Sequence, residues 1–405
     1  MPFPLAKHLC NKPAMSKKFP YTVRRLADCQ NIADFRELAQ RRLPYPVFHY
    51  IDGAADDETT KDRNTQAFAD VDLVPDVLAG ATDIDPSVTI MGRTTPLPLM
   101  LSPTALQRLF HWQGERATAA VAEKFGLWFG ISSLSSVSIE EVGANYSGPK
   151  MLQYYYHKDR GLNAALVERA RAAKFDAITL TVDTVVSGNR ERCKRTGFQT
   201  PPKFTPSSFL SYATHPAWAL NFLFREKFDL PNLSTHVTAG SGSSISIQDY
   251  FNSMLDPGLN WQAAEQLRDD WGGKFCLKGI MSVGDARRAA DMGIDAIMVS
   301  NHGGRQLDGS RAPFDQLDEI CQAVGDRVEV ILDGGVRRGS HVLKALATGA
   351  RAVSGGRLYL YALAAAGEAG VERAIGLLDA EIRRDMQLMG VNRVDQLTPD
   401  RLRRR

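Results

Sequence analysis

From residue 96 onward, short apolar runs alternate with stretches whose apolar residues recur at helical spacing. The runs are LPLMLS (97–102), LWFGIS (127–132), KMLQYYY (150–156), AITLTVD (177–183), FCLKG (275–279), AIMVS (296–300), VEVILD (328–333) and AVSGG (352–356). Between most of them lie segments such as GERATAAVAEKFG, LNAALVERARAAKF, VGDARRAADMG and GSHVLKALATG, amphipathic and usually closed by glycine. Alternation of this kind predicts a parallel sheet, and eight units favour a closed (β/α)8 TIM barrel over an open doubly wound sheet.

Two regions do not keep the beat. After the fourth run an insertion at about 185–259 carries KFTPSSFLSYATHPAWALNFLFREKF (203–228) and TAGSGSSISIQ (238–248), too long for an ordinary connection. Before the first run, DCQNIADFRELAQRRLPYPVFHYIDGAADDETT has too little apolar content for a core of its own and predicts an N-terminal helical cap. The expected organisation is a flexible arm over 1–33, a barrel domain over 34–397 and a basic, solvated tail over 398–405. The arm is basic, but prolines 2, 4, 13 and 20 break any amphipathic helix and there is no apolar core of a signal peptide, so it is not read as a targeting segment.

Composition narrows the class. The 405 residues are 44% hydrophobic and 23% charged, a globular balance, and 49 basic against 46 acidic residues leave a net charge of +3, with no footprint for nucleic acid. The five cysteines are scattered without CxxC spacing, which suggests neither a disulfide framework nor a metal site and fits a reducing cytosol. No window approaches the ~18 apolar residues of a spanning helix.

In such barrels the working groups sit where strands end, at the C-terminal face. Every apolar run here ends in polar or glycine-rich sequence: Pro103-Thr104-Ala105, Ser132, Gln153 with Tyr155, Thr181 with Asp183, Lys278, SNHGGRQLD (300–308), DGGVRRG (333–339) and SGGR (354–357). Glycines beside arginines after the last two runs suit a phosphate, since backbone N–H groups can approach an anion closely there. There is no GxxxxGK[ST], so a nucleoside triphosphate is not indicated. His302 offers a base near neutral pH, Arg305 a bidentate clamp for a carboxylate, and Asp183 a partner to orient the imidazole. Together they suit a carboxylate-bearing substrate with a proton to lose.

SNHGGRQLD, LTVDT (180–184), PTALQ (103–107), HKDRG (157–161), LKGI (277–280) and LDGGVRRG (332–339) resemble the signature segments of the FMN-dependent 2-hydroxy acid oxidases and dehydrogenases, over about 34–397. The pattern is most similar to that of the bacterial respiratory L-lactate dehydrogenases. The resemblance implies FMN as cofactor and carries roles over residue by residue. His302 takes the position of the active-site base, Asp183 that of its partner, and Tyr155 faces the substrate hydroxyl. Tyr50, Arg190 and Arg305 match the groups that bind the substrate carboxylate. Pro103, Thr104, Ala105, Ser132, Gln153, Thr181, Lys278 and Ser300 match those around the flavin ring; Asp333, Gly334, Gly335, Arg337, Gly356 and Arg357 match those on ribityl and phosphate. No metal is implied. Two departures from the family pattern, Leu358 after Arg357 and Tyr154 in place of a leucine, touch no proposed catalytic group. Leu134, where the glycolate enzymes carry tryptophan, implies a pocket that admits more than glycolate, such as lactate.

Three readings stay open on the sequence: a dehydrogenase passing electrons to a quinone or cytochrome, a soluble oxidase using O2 and releasing H2O2, and a non-catalytic flavin-binding barrel. The insertion separates the first two. HPAWALNFLFREKFDLPNL (215–233) resembles the loop of membrane-associated relatives, and Trp218, Leu220, Phe222, Leu223 and Phe224 crowd apolar area beside Arg225 and Lys227, which suggests a membrane surface through 209–232. The expectation is a homotetramer, cytoplasmic and peripheral on the cytoplasmic face of the inner membrane. Whether His302 removes the Cα proton or the hydroxyl proton is left open.

Overall fold

The structure, a computed structural model, describes residues 22–198, 206–226, 228–233 and 253–405. Three helices, α1 (Ile32–Arg42), α2 (Tyr45–Asp52) and α3 (Thr59–Gln66), precede the short strands β1 (Val71–Leu73), β2 (Val88–Ile90) and β3 (Arg93–Thr95). Eight strands then form a closed, all-parallel barrel: β4 (Leu99–Thr104), β5 (Trp128–Ser132), β6 (Lys150–Tyr154), β7 (Ala177–Thr181), β8 (Lys274–Ile280), β9 (Ala296–Ser300), β10 (Glu329–Asp333) and β11 (Ala352–Gly355), which pairs back onto β4. The expected TIM barrel is therefore present, each strand within a few residues of its apolar run. The helices between these strands are α4 (Glu115–Lys124), α5 (Ile139–Asn145), α6 (Arg160–Ala172), the insertion's α7 (Glu191–Thr196), α8 (Pro206–Ala213) and α9 (Pro216–Phe224), then α10 (Trp261–Trp271), α11 (Val283–Asp291), α12 (Pro313–Val324) and α13 (Gly339–Ala347); α14 (Arg357–Met389), kinked at Ala366–Gly367, follows β11.

Side chains alternate across a strand, and the two faces of this barrel differ in chemistry. Outward residues such as Leu101, Ile131, Leu152, Leu180, Leu277, Val299, Leu332 and Val353 join one large apolar core with the surrounding helices. Inward residues near the N-terminal end, Met100, Trp128, Met151, Ala177, Cys276, Met298, Ile331 and Ala352, form a second apolar cluster that the β2–β3 hairpin closes from below with Val88 and Ile90. Two residues further along, the inward positions of seven of the eight strands turn polar: Ser102, Gln153, Thr179, Lys278, Ser300, Asp333 and Ser354, all buried. The bottom of the barrel is thus packed and its upper layer is polar, which places the chemistry at the C-terminal mouth.

The cap is tied to the barrel rather than standing apart, with α1 packed on α14. Two expected boundaries change. Within the described residues the N-terminal segment is packed from Val23 rather than flexible to 33: Val23 and Cys29 are fully buried, and Arg373 donates to the Cys29 carbonyl. The last residues are not a free solvated end. Leu402–Arg404 form β12, antiparallel to β1, and Arg405 pairs with Asp72, although the arginine side chains remain exposed.

The insertion lies against the barrel mouth where it is described; 238–248 and the side chains of Phe222, Leu223 and Lys227 lie outside the described residues. Trp218, expected in an exposed interface patch, is turned inward instead: its indole N–H donates to the Leu109 carbonyl at 2.7 Å and its ring packs beside Tyr212. Arg225 lies over the Trp112 ring at 4.5 Å. Leu210, Leu220 and Phe224 remain on the outside, the last two 54% and 79% exposed.

Candidate active site

The loop after β9 answers why a buried strand ends in SNHGGRQLD. Asn301, Gly304 and Asp308 dock the cap, while His302, Gly303 and Arg305 line a cavity. Asn301 exchanges amide hydrogen bonds with Asn64 of α3 at 2.7 and 2.8 Å, and Asp308 accepts from the Thr60 backbone N–H at 2.8 Å. Gly304 has φ +74°, and a Cβ there would stand 2.6 Å from the Lys61 backbone nitrogen, so only glycine lets cap and loop approach this closely. His302 itself holds a left-handed φ of 57°, uncommon for a side chain of its size, with its backbone N–H donating to Ser300 Oγ at 3.1 Å. That turn presents His302 and Arg305 to the mouth of the barrel.

His302 Nδ1 lies 3.0 Å from Asp183 Oδ1, and the Thr184 hydroxyl donates to the same carboxylate oxygen at 2.9 Å. A carboxylate at Nδ1 fixes the proton there and leaves Nε2 as an acceptor; no described residue bonds to it. Burial lowers the His302 pKa below its ordinary 6.5, and the opposing pull of Asp183 only partly offsets this, with Lys278 and Arg190 lowering it further. Burial works against the charge of Asp183, but His302 and Lys278 hold its pKa below the usual carboxylate value. The pair is therefore a neutral imidazole beside an ionised carboxylate, a base awaiting a proton.

The remaining predicted residues gather around one cavity. Tyr50, Tyr155, Arg190, His302 and Arg305 line one end of it, with Leu134 and Phe110. The Arg305 guanidinium donates to the carbonyls of Tyr50 and Gly53 at 2.7 and 3.0 Å and lies over the Tyr50 ring at 4.9 Å, but neither it nor Arg190 has an acidic partner among the described residues. Arg190 Nε is buried without a hydrogen bond. Burial lowers the Arg305 pKa, and the neighbouring Arg190 adds to that. Two crowded guanidiniums with no counter-ion make a site for a carboxylate. Tyr155 is buried, which raises its pKa and keeps the phenol protonated.

At the other end, Gly334, Gly335, Arg337, Gly356 and Arg357 line the cavity. Gly335 has φ +75°, and a Cβ there would fall 1.9 Å from the Asn64 carbonyl oxygen. Arg357 donates to the carbonyls of Ile51, Gly53 and Gly303, and Arg337 to that of Val336; again no acid pairs with either. Burial lowers both pKa values, and Arg357 adds to the effect at Arg337. This second pair of uncompensated cations suits a phosphate.

Between the two ends, the floor carries Pro103, Thr104, Ala105, Ser132, Lys278 and Asp333. Lys278 Nζ lies 2.9 Å from Asp333 and donates to Ser300 Oγ at 3.1 Å. Burial alone would lower the Lys278 pKa, but the Asp333 and Asp183 carboxylates outweigh it and keep the ammonium charged. Gln153, Thr181 and Ser300 are buried in register with the floor, Gln153 paired with Ser132, Thr181 with Lys278 and Ser300 with Asp333. The Ser132 hydroxyl donates to Gln153 and Gln153 to Thr181, both at 2.8 Å, while Ser300 donates to Asp333 at 2.8 Å.

Sequence reasoning missed Ser102, whose hydroxyl donates to Asp333 at 3.0 Å, although its place two residues after Met100 marks it as inward-facing. It also missed Glu115. This fully buried carboxyl accepts from the Gln107 and Ser136 backbone N–H groups and from the Ser136 hydroxyl, tying together the loops that carry Ala105 and Leu134. Phe110 had no local signal.

A parallel barrel with a phosphate-type site after its last two strands, and at the other end a carboxylate-type site with a histidine–aspartate base beside it, defines an enzyme that holds a phosphate-bearing cofactor against a carboxylate substrate. The comparisons narrow that class. The FMN-dependent dehydrogenase family matches residues 39–404. The chain is 40% identical over 364 residues to an L-lactate dehydrogenase of Caulobacter vibrioides, covering 89% of this chain and 94% of that protein. It is 38% identical over 373 residues to an L-lactate dehydrogenase of Alcaligenes faecalis, covering 91% and 97%. Among solved structures it superposes on the monotopic membrane protein (S)-mandelate dehydrogenase with a TM-score of 0.88 at 33% identity, covering 93% of this chain and all of that one. It superposes on a mandelate oxidase with a TM-score of 0.79 at 36% identity, covering 93% and 98%. The chain belongs to the FMN-dependent dehydrogenase family, and its cofactor is FMN.

The residues present fit that group. The uncompensated Arg337 and Arg357 beside the glycines would hold the phosphate, Asp333 could accept from ribityl hydroxyls, and buried, charged Lys278 would offer a positive charge to the ring.

Proposed function

We propose that this enzyme oxidises an L-2-hydroxy acid, with L-lactate the preferred substrate, to the 2-oxo acid and passes the electrons to a respiratory quinone or cytochrome. The observation that carries the reading is the neutral Nε2 of His302, backed by Asp183, facing a cavity whose nearest cations, Arg305 and Arg190, lack counter-ions. Arg305 and Arg190, with the Tyr50 hydroxyl, hold the substrate carboxylate, orienting the carbinol carbon toward the floor. Tyr155 donates its phenol hydrogen to the substrate hydroxyl. His302 Nε2 takes up the proton released in the oxidation, and Asp183 stabilises the imidazolium that results. Bound FMN supplies the two-electron acceptor. Lys278, kept protonated by Asp333, places a fixed positive charge where negative charge gathers as those electrons arrive. Substrate choice rests on Leu134 and Phe110, apolar groups that leave room for a methyl-sized or larger substituent. The names of the curated relatives favour lactate.

We further propose a homotetramer held peripherally on the cytoplasmic face of the membrane through 209–232. The exposed Leu210, Leu220 and Phe224 support that docking, as does the likeness to a monotopic membrane dehydrogenase. No helix among the described residues is long and apolar enough to cross a membrane. The test is anaerobic mixing of the yellow holoenzyme with a panel of L-2-hydroxy acids, followed by quinone or air. Bleaching by L-lactate and rapid recovery with quinone are expected. A flavin that no hydroxy acid bleaches would overturn the activity, and rapid recovery in air alone would make the enzyme an oxidase.

A further inference from the structure

We propose that a second cavity, between α9 and the loop after β4, binds the ring of a quinone that receives the substrate's electrons. The inference rests on the hydroxy acid oxidation proposed above and assigns its acceptor a place. The cavity has a volume of about 130 Å³. Cavities of about 150 Å³ in protein interiors hold a single benzene ring, so this one, somewhat smaller but open on one side, takes the leading edge of a quinone ring with the remaining substituents and the tail left outside.

Three observations point to that ligand. The first is position: Phe110 is a wall of both this cavity and the substrate cavity, so the two are one side chain apart. The second is chemistry. Phe110, Trp112, Trp218 and Phe228 give aromatic faces, while Asn221 and Arg42 offer N–H donors that bond to no described residue. The single carboxylate in the wall, Glu226, is engaged by Arg116 at 2.9 Å. His111 is pushed down to about 4 by burial, with Arg42 adding to it, and so is uncharged at neutral pH. Such a wall accepts a flat ring whose edge carries carbonyl oxygens and rejects a cation. The third is the way α9 is built. Ala217, Trp218, Asn221 and Arg225 face the cavity at helical spacing, whereas Leu220 and Phe224 stand on the outer face, 54% and 79% exposed. The cavity therefore lies beneath an apolar outer surface, the approach a ligand with a long hydrocarbon tail would use. The chemistry balances without a further oxidant: a hydroxy acid becoming a 2-oxo acid releases two electrons and two protons, and a quinone taking up two of each becomes a hydroquinone.

The experiment uses the holoenzyme with decylubiquinone. Binding is followed by quenching of tryptophan fluorescence without substrate, and turnover with L-lactate is measured with decylubiquinone and, separately, with ferricyanide. Asn221→Leu removes a donor, and Ala217→Trp fills the cavity from its rim. Both should raise the quenching Kd and the KM for decylubiquinone about tenfold, the loss expected for a buried hydrogen bond or a blocked ring site. Ferricyanide turnover and anaerobic flavin bleaching should stay within about twofold of the parent. Unchanged quenching and unchanged quinone KM in both variants would overturn the assignment, as would quenching that inorganic phosphate displaces, which would make this an anion site. Because quenching is read without substrate, failure of the hydroxy acid reading is distinguishable: the flavin would then bleach with no L-2-hydroxy acid while the quinone result stands by itself.

Discussion

At His302 the two ring nitrogens are separated by environment: Nδ1 is committed to Asp183, and burial among cations keeps the ring unprotonated, so that Nε2 is free to accept a proton. His302→Gln keeps an amide in place of the ring but cannot take a proton. Flavin content should be retained and anaerobic bleaching by L-lactate should slow by ~10²–10⁴-fold, measured in a stopped-flow instrument. The neutral form is the reactive one and its pKa is lowered, so kcat/KM should rise with pH along a limb lying below the ordinary histidine value of 6.5 and be level through neutrality. A limb centred above that value would mean that His302 is not the titrating base. Arg305→Lys exchanges a planar fork, already positioned by the Tyr50 and Gly53 carbonyls, for a point charge. KM for L-lactate should increase ~10–100-fold, the loss of one strong charged hydrogen bond.

Elements position these residues through contacts that no single segment contains. The loop after β9 is clamped by α3, and α3 belongs to a cap held by a buried ionic cluster: Asp52 accepts from Arg36 at 2.5 and 2.8 Å, from Arg192 of α7 at 2.8 Å and from the Tyr361 hydroxyl at 2.8 Å. Burial opposes ionisation of Asp52, but Arg36 and its other partners more than offset it and depress the pKa. A depressed carboxylate stabilises the fold fully above its ordinary pKa of 3.8 and loses that contribution as pH falls below it. Asp52→Asn should therefore lower stability at neutral pH by about 2–3 kcal/mol, less than for a fully buried pair because both arginines are partly solvated. The melting temperature should drop by roughly 2–4 °C, with a smaller difference from the parent at pH below 3 than at pH 7. Because Arg192 sits two residues from Arg190, the same variant should weaken substrate binding more than it alters flavin content.

On the scale of the whole molecule, α9 divides an inner face packed on the barrel from an outer face of leucine and phenylalanine. Replacing Leu220 and Phe224 together with serine should move the enzyme from the membrane pellet to the supernatant while anaerobic bleaching by L-lactate continues unchanged, because neither residue lines the substrate cavity. Trp218→Ser should instead loosen the insertion, since that ring is anchored to Leu109. Wild-type enzyme found wholly in the supernatant would overturn the docking reading.

The order of elements was legible in the sequence because it depends on local periodicity: eight apolar runs of strand length separated by amphipathic helices allow few other folds. The strand-end chemistry was legible for the same reason, since a parallel barrel brings all its strand ends to one face whatever their distance along the chain. Only tertiary structure could decide how the strand-end groups are joined, as Gln153 is to Ser132 and Thr181, and Ser300 to Asp333 and Lys278, because strand pairing in the closed barrel sets which of them are neighbours. It also decided the inward turn of Trp218, the burial of Val23 and Cys29, and the pairing of the last strand with β1. Each is a contact between segments far apart in sequence, fixed by the shape of the surface available to bury them and not by any pattern within them.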